Sequence, residues 1–140
     1  MAKLWQAISR KDFLFGILIF VLVILISIFQ PSNKILVEFG ETAVDVKSAQ
    51  FTMNIPYTMV ETIELVDRPD PGKEVDGHDD MILLTGTWEN DTWGEYTACI
   101  EGATDNCIVV YLNDGRIFVI SRRDNEETTK VFEEFQLHLQ

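Results

Sequence analysis

Two histidines, two cysteines and 23 acidic side chains carry most of the chemical potential of this 140-residue sequence. His78 lies in the segment DRPDPGKEVDGHDD, residues 67–80, with Asp76, Asp79 and Asp80 beside it. Clustered carboxylates suit hard cations such as calcium. The calcium-loop motif, however, needs its acids in a fixed register with a closing glutamate, and DPGKEVDGHDD lacks both. With two prolines, two glycines and its acids in dense succession, the segment reads as a solvated loop and not as a metal site. His138, near the C-terminus, has no partner identifiable by spacing. No serine sits in a G-x-S-x-G turn, and neither a phosphate-binding glycine loop nor H-E-x-x-H occurs. Nothing marks any two carboxylates as a hydrolytic pair. The sequence therefore predicts no catalytic residue, no metal and no cofactor, and points to a non-enzymatic protein. Asn90-Asp91-Thr92 matches a glycosylation sequon, but a turn is the better reading.

The cysteines are more informative. Cys99 and Cys107 are symmetric about Ala103 and flank the expected hairpin loop 102–106. If Ala98 and Ile100 point inward on one strand, and Ile108, Val110 and Leu112 on the next, both cysteines point outward on one face. Cross-strand neighbours are then close enough for a disulfide with modest twist. A Cys99–Cys107 bond is the expectation, in a compartment that permits it.

The element on which everything else hangs is residues 13–29, FLFGILIFVLVILISIF, which holds no charge and only Gly16 and Ser27 outside the apolar set. As a helix it is ~26 Å long, near the lower limit for crossing a bilayer. The run exceeds the apolar core of a secretory signal, and the bulky Phe29 follows Ser27-Ile28 where cleavage needs a small residue. An uncleaved membrane anchor is the expectation. Charge supplies its orientation. The chain carries −12 overall, but Lys3, Arg10 and Lys11 against Asp12 leave the first twelve residues at +2 and the remainder at −14. Basic residues beside a span stay in the cytoplasm, so the N-terminus is expected inside and the acidic domain outside. So acidic a domain does not bind nucleic acid by neutralising phosphates.

This divides the chain into a basic segment 1–12, a membrane helix 13–29, a linker 30–34 with Pro31 ending the helix, and a domain 35–140. From residue 35 to 121 short alternating apolar runs predict strands. They begin at Ile35-Val37-Phe39, Val44-Val46, Phe51-Met53-Ile55, Val60-Ile63-Leu65 and Met81–Trp88. Trp93–Glu101, Cys107–Leu112 and Arg116–Ile120 complete the set, with the Asp114-Gly115 pair marking a tight turn. The last segment is helical, with Ser121 or Asp124 as cap and Val131, Phe132, Phe135 and Leu139 on one apolar face.

Ile55-Pro56-Tyr57 followed by Val60 to Leu65, Gly86-Thr87-Trp88 with Trp93-Gly94, and Asp114-Gly115 to Ser121 before a closing helix together resemble the bacterial pleckstrin-homology-like domains that are often attached to membrane helices. The resemblance spans roughly residues 35–139. It implies a mainly β fold of about seven to eight antiparallel strands, as a barrel or sandwich capped by a C-terminal helix. It brings almost no chemistry with it. The first turns, Gly40-Glu41 and Lys47-Ser48, lack the basic cluster used by phosphoinositide-binding relatives, so phosphoinositide binding is not expected. The functional expectation is an anchored interaction domain, held in the bilayer by residues 13–29 and binding an envelope protein or peptide or self-assembling. The alternative is an extracytoplasmic sensor or ligand-binding module that uses the acidic loop 67–80.

Overall fold

The computed structural model describes residues 9–28, 35–49, 51–80, 83–102 and 104–140. The chain forms two compact units, residues 1–32 and 33–140. The predicted linker 30–34, with its Pro31 stop, lies outside the described residues, as do residues 1–8, Met81 and Ala103.

In the first unit, helix α1 spans Arg10–Ile28. It begins three residues before the uncharged run because Ser9 and Asp12 cap each other. The Ser9 hydroxyl accepts from Asp12 N, and the Asp12 carboxylate accepts from Ser9 N and Oγ. This reciprocal arrangement satisfies orphan amide groups of the first turn, so Arg10, Lys11 and Asp12 enter the helix. Ser27, the one hydroxyl within the apolar run, donates to the Val23 carbonyl at 2.8 Å and presents no unpaired polar group. None of its residues is buried, and by length and composition α1 is able to cross a membrane.

The second unit is mainly β. Strands β1 (Leu36–Phe39), β2 (Ala43–Lys47) and β3 (Thr52–Pro56) form an antiparallel three-stranded sheet. A 3-10 turn, Tyr57–Met59, leads into a six-stranded sheet. Its strands are β4 (Val60–Asp67), β5 (Lys73–Asp79), β6 (Leu83–Asn90), β7 (Gly94–Glu101), β8 (Asn106–Leu112) and β9 (Ile117–Ile120), in the spatial order β4-β8-β9-β7-β6-β5. Helix α2, Asn125–His138, closes the chain. The main core joins Val44, Val46, Met53 and Ile55 of the small sheet to Cys99, Ile108, Val110, Phe118 and Ile120 of the large one, with Phe135 of α2 fully buried among them. A second cluster occupies the other face of the large sheet: Leu84, Trp88, Tyr96, Ala98, Ile100, Cys107, Val109 and Val119.

Three expectations are corrected here. First, the described residues form nine strands in two sheets, and one pair, β7 with β9, is parallel. Second, the segment 67–80 is not one loop, since Lys73–Asp79 pairs with β6 as an edge strand. A glycine pair makes this approach feasible. Gly77 sits opposite Gly86, and a Cβ on Gly77 would collide with the Thr85 carbonyl and the Trp88 indole. Gly86 adopts φ +89, where a side chain would meet the Asp76 backbone. Residues 68–72 and Asp80 remain irregular, and 68–72 are pinned. Tyr96 Oη donates to the Pro71 carbonyl, Arg68 N to the Asp105 carbonyl, and Asn90 Nδ2 to the Asp70 carbonyl.

Third, Cys99 and Cys107 do not form a disulfide; both are free and buried. Segment 102–106 is not a hairpin loop, because β9 is inserted between β7 and β8. Cys99 pairs with Ile120 of β9, whereas Cys107 pairs with Val66 of β4. The two thiols also face opposite clusters. The alternation argument assumed that Ala98 and Ile100 share a face with Ile108 and Val110, and they do not. Because both faces of this sheet are covered, apolar residues on either side fit a core, and alternation cannot fix the register.

Candidate functional site

Sheet topology leaves one strand edge beside the closing helix. β4 is hydrogen-bonded to β8 along one side, and on the other it is the border of the six-stranded sheet. Such an edge offers a row of unpaired main-chain donors and acceptors. Register assigns its faces. Ile63 and Leu65 stand opposite Val110 and Ile108, towards the main core, while Thr62, Glu64 and Val66 stand opposite Tyr111, Val109 and Cys107. Leu65 nonetheless stays exposed, and so do Glu61, Thr62, Glu64 and Asp67. The strand therefore carries three solvent-facing carboxylates and no basic side chain. A shallow, open groove runs between it and the end of α2, lined by Glu61, Thr62, Ile63, Gln136, Leu139 and Gln140. Ile63 and Leu139 supply its apolar part.

The helical wall of this groove is held rigidly. Asp124 caps α2, its carboxylate accepting from Glu127 N at 2.8 Å. At the other end the His138 ring stacks on Phe39 (5.1 Å, 3°) and on Tyr57 (5.2 Å, 11°), and Phe135 meets both of these rings edge-on. Offset stacks and perpendicular contacts are favourable aromatic geometries. Tyr57 is further tied by its hydroxyl to the Gly40 carbonyl. Burial, with the Glu134 carboxylate nearby, raises the Tyr57 pKa. This stack fixes the last turn of α2 and so places Leu139 at the groove. His138 also lies 4.0 Å from the Glu134 carboxylate one turn earlier, a contact that spacing could have offered, but its stack on Phe39 is what spacing missed. Phe39 is 99 positions away in the chain, and no local pattern reports such a contact.

The other singled-out residues are dispersed. His78 is exposed on β5 with its Nε2 3.5 Å from the Asp80 carboxylate. Among the described residues no three His, Cys, Asp or Glu side chains are grouped so that they could hold a metal ion. A polar cleft lined by Pro69, Asp70, Gly72, Lys73 and residues 89–92 lies at the start of β5. Two of its polar side chains serve turns: Asp70 accepts from Gly72 N, and Asn90 Oδ1 accepts from Thr92 N and Trp93 N. That second set makes Asn90-Asp91-Thr92 a side-chain-stabilised turn, as its composition suggested. Burial pushes the Cys99 thiol up to about 12 and the Cys107 thiol to about 11. Neither thiol is therefore a nucleophile at neutral pH. Comparison with models of protein families, with curated proteins and with solved structures finds no match.

Proposed function

We propose that this is a non-enzymatic, membrane-anchored interaction domain that receives an extended segment of another envelope protein along the free edge of β4. The observation that carries this reading is the coincidence of an unpaired strand edge with a groove whose far wall is a rigidly held helix end. An added strand gains main-chain hydrogen bonds from the edge, and its alternate side chains enter the groove. Glu61, Glu64 and Asp67 make the edge acidic, which favours a segment with basic residues next to apolar ones. The anchor, α1, would hold the domain at the extracytoplasmic surface. The pleckstrin-homology-like resemblance belongs to the same proposal; the helix-capped β architecture supports it, and the parallel β7–β9 pair departs from it. The alternative, a ligand-binding module built on residues 67–80, draws on the polar cleft at the start of β5. It is the weaker reading because Asp70 and Asn90 there are engaged in turns.

Site-specific photo-crosslinking in intact membranes tests the proposal. A photoreactive residue at Thr62 or Gln136 is expected to give one discrete adduct, and the same residue at Asp91, in the distant β6–β7 turn, none. A further adduct test uses Glu61→Lys with Glu64→Lys, which should abolish crosslinking from Gln136 while the domain stays folded. Adducts from Asp91 but not from Thr62 or Gln136 would move the partner site to the cleft.

A further inference from the structure

A small, partly open pocket lies where β7, β9 and α2 converge, and the site proposed above does not use it. Glu101, the last residue of β7, is only 6% exposed. Its Oε1 accepts from Ile35 N, the main-chain amide of the first described residue of the domain, at 3.2 Å. Its Oε2 has no partner among the described residues. Ser121, fully buried just after β9, locks the backbone here: its hydroxyl accepts from Glu101 N and donates to the Glu101 carbonyl. Arg122 follows, with its amide donating to Thr128 Oγ1 and its Nη2 3.7 Å from Glu127 Oε2. Its Nη1 is buried and likewise has no partner among the described residues. Glu127 is held in turn by Arg123 at 3.0 Å. Glu101, Arg122, Arg123 and Glu127 together line a partly open pocket of about 70 Å³, in which the Arg123 side chain is 64% exposed.

Two orphaned atoms of opposite character thus share one small space. A buried carboxylate oxygen and a buried guanidinium N–H that lose water without gaining a partner each bear the full cost of desolvation. The lining decides what can relieve both. An anion would satisfy Arg122 but would face the bare Glu101 oxygen and Glu127. A cation would satisfy Glu101 but would face two guanidinium groups. Only a small neutral molecule that accepts one hydrogen bond and donates another serves both atoms. At roughly 30 Å³ per water, the pocket holds about two.

We propose that this pocket is a hydration site in which bound water bridges Glu101 Oε2 and Arg122 Nη1. The bridge links Ile35, just before β1, through the Glu101–Ile35 bond, to the first turn of α2, through Arg122 and Glu127. It also lets a carboxylate sit in the core and hold the Ile35 amide without leaving half of its charge dry. A crystal structure of the full chain at a resolution that shows ordered solvent tests this. The expected result is a water peak within hydrogen-bonding distance, ~2.7–3.2 Å, of both atoms. A direct Glu101–Arg122 contact that closes the pocket, or a pocket without density, would overturn the proposal. So would a peak that gains an anomalous signal when the crystals are grown in bromide, since that would identify an anion.

Discussion

At the residue scale, the two thiols show how position in a doubly covered sheet determines chemistry. Cys99 and Cys107 are fully buried, and burial is the largest cause of their raised pKa values. Tyr96, also buried, is pushed up to about 12 for the same reason. Groups whose folded pKa exceeds the unfolded value make the native state bind more protons, so their contribution is complete below the unfolded pKa and is lost as pH rises through the folded one. Stability should therefore be level up to about pH 9, the ordinary thiol value, and fall progressively towards pH 11–12. Urea midpoints measured across this range check it, and Cys99→Ala should make the alkaline slope shallower. A stability curve flat to pH 12 would mean that these groups are solvated. Phe135 is the other residue whose burial is decisive. It has no exposed surface and touches both Phe39 and Tyr57 edge-on. Phe135→Ala should cost ~3–5 kcal/mol, read from denaturant unfolding. A change below 1 kcal/mol would show that α2 does not close the core.

At the scale of elements, α2 starts where its cap dictates. Asp124 is extended (φ −142, ψ 173), its carboxylate takes the Glu127 amide, and its carbonyl accepts from Thr128 N and Oγ1. Asp124→Ala should cost ~1 kcal/mol, whereas Ser121→Ala, which removes the buried Glu101 bonds, should cost more. Equal effects in equilibrium unfolding would contradict this assignment. The cap, the apolar face of α2 and the Asp114-Gly115 turn were all legible in the sequence because each is a local pattern. Gly115 takes φ +89, as a tight turn requires. The small sheet was legible for a related reason: β2 and β3 alternate strictly, with Val44, Val46, Met53 and Ile55 inward and polar residues outward. Strands β7 and β8 were also legible as strands, but their pairing was not. Their near-continuous apolar runs reflect a core on each face, and the insertion of β9 between them is a long-range event without a short-range signal. The strand within 67–80 was hidden for a different reason. β5 is an edge, almost wholly exposed, so it carries no apolar stripe, and its pairing depends on the Gly77–Gly86 approach. The candidate groove inherits the same limit. Its strand residues were recognisable, but that β4 forms an edge beside α2 is a property of topology alone.

At the scale of the whole molecule, the charge distribution carries the last prediction. Arg10 and Lys11 lie in the first turn of an apolar helix of 19 residues, and the rest of the chain after residue 12 has a net charge of −14. Moving those basic residues across a membrane opposes the bias that retains them in the cytoplasm, whereas an acidic domain has no such bias against export. The domain is therefore expected outside, which is also where an acidic β4 edge would meet an envelope partner. Ala49, exposed between β2 and β3, is a suitable reporter. The two native cysteines need not be removed, because both are buried with raised pKa values and stay silent towards thiol reagents at neutral pH. In whole cells an Ala49→Cys chain should react with a membrane-impermeant maleimide, and wild type should react only after denaturation. Labelling of Ala49→Cys that requires lysis would place the domain in the cytoplasm, and with it any partner proposed for the β4 edge.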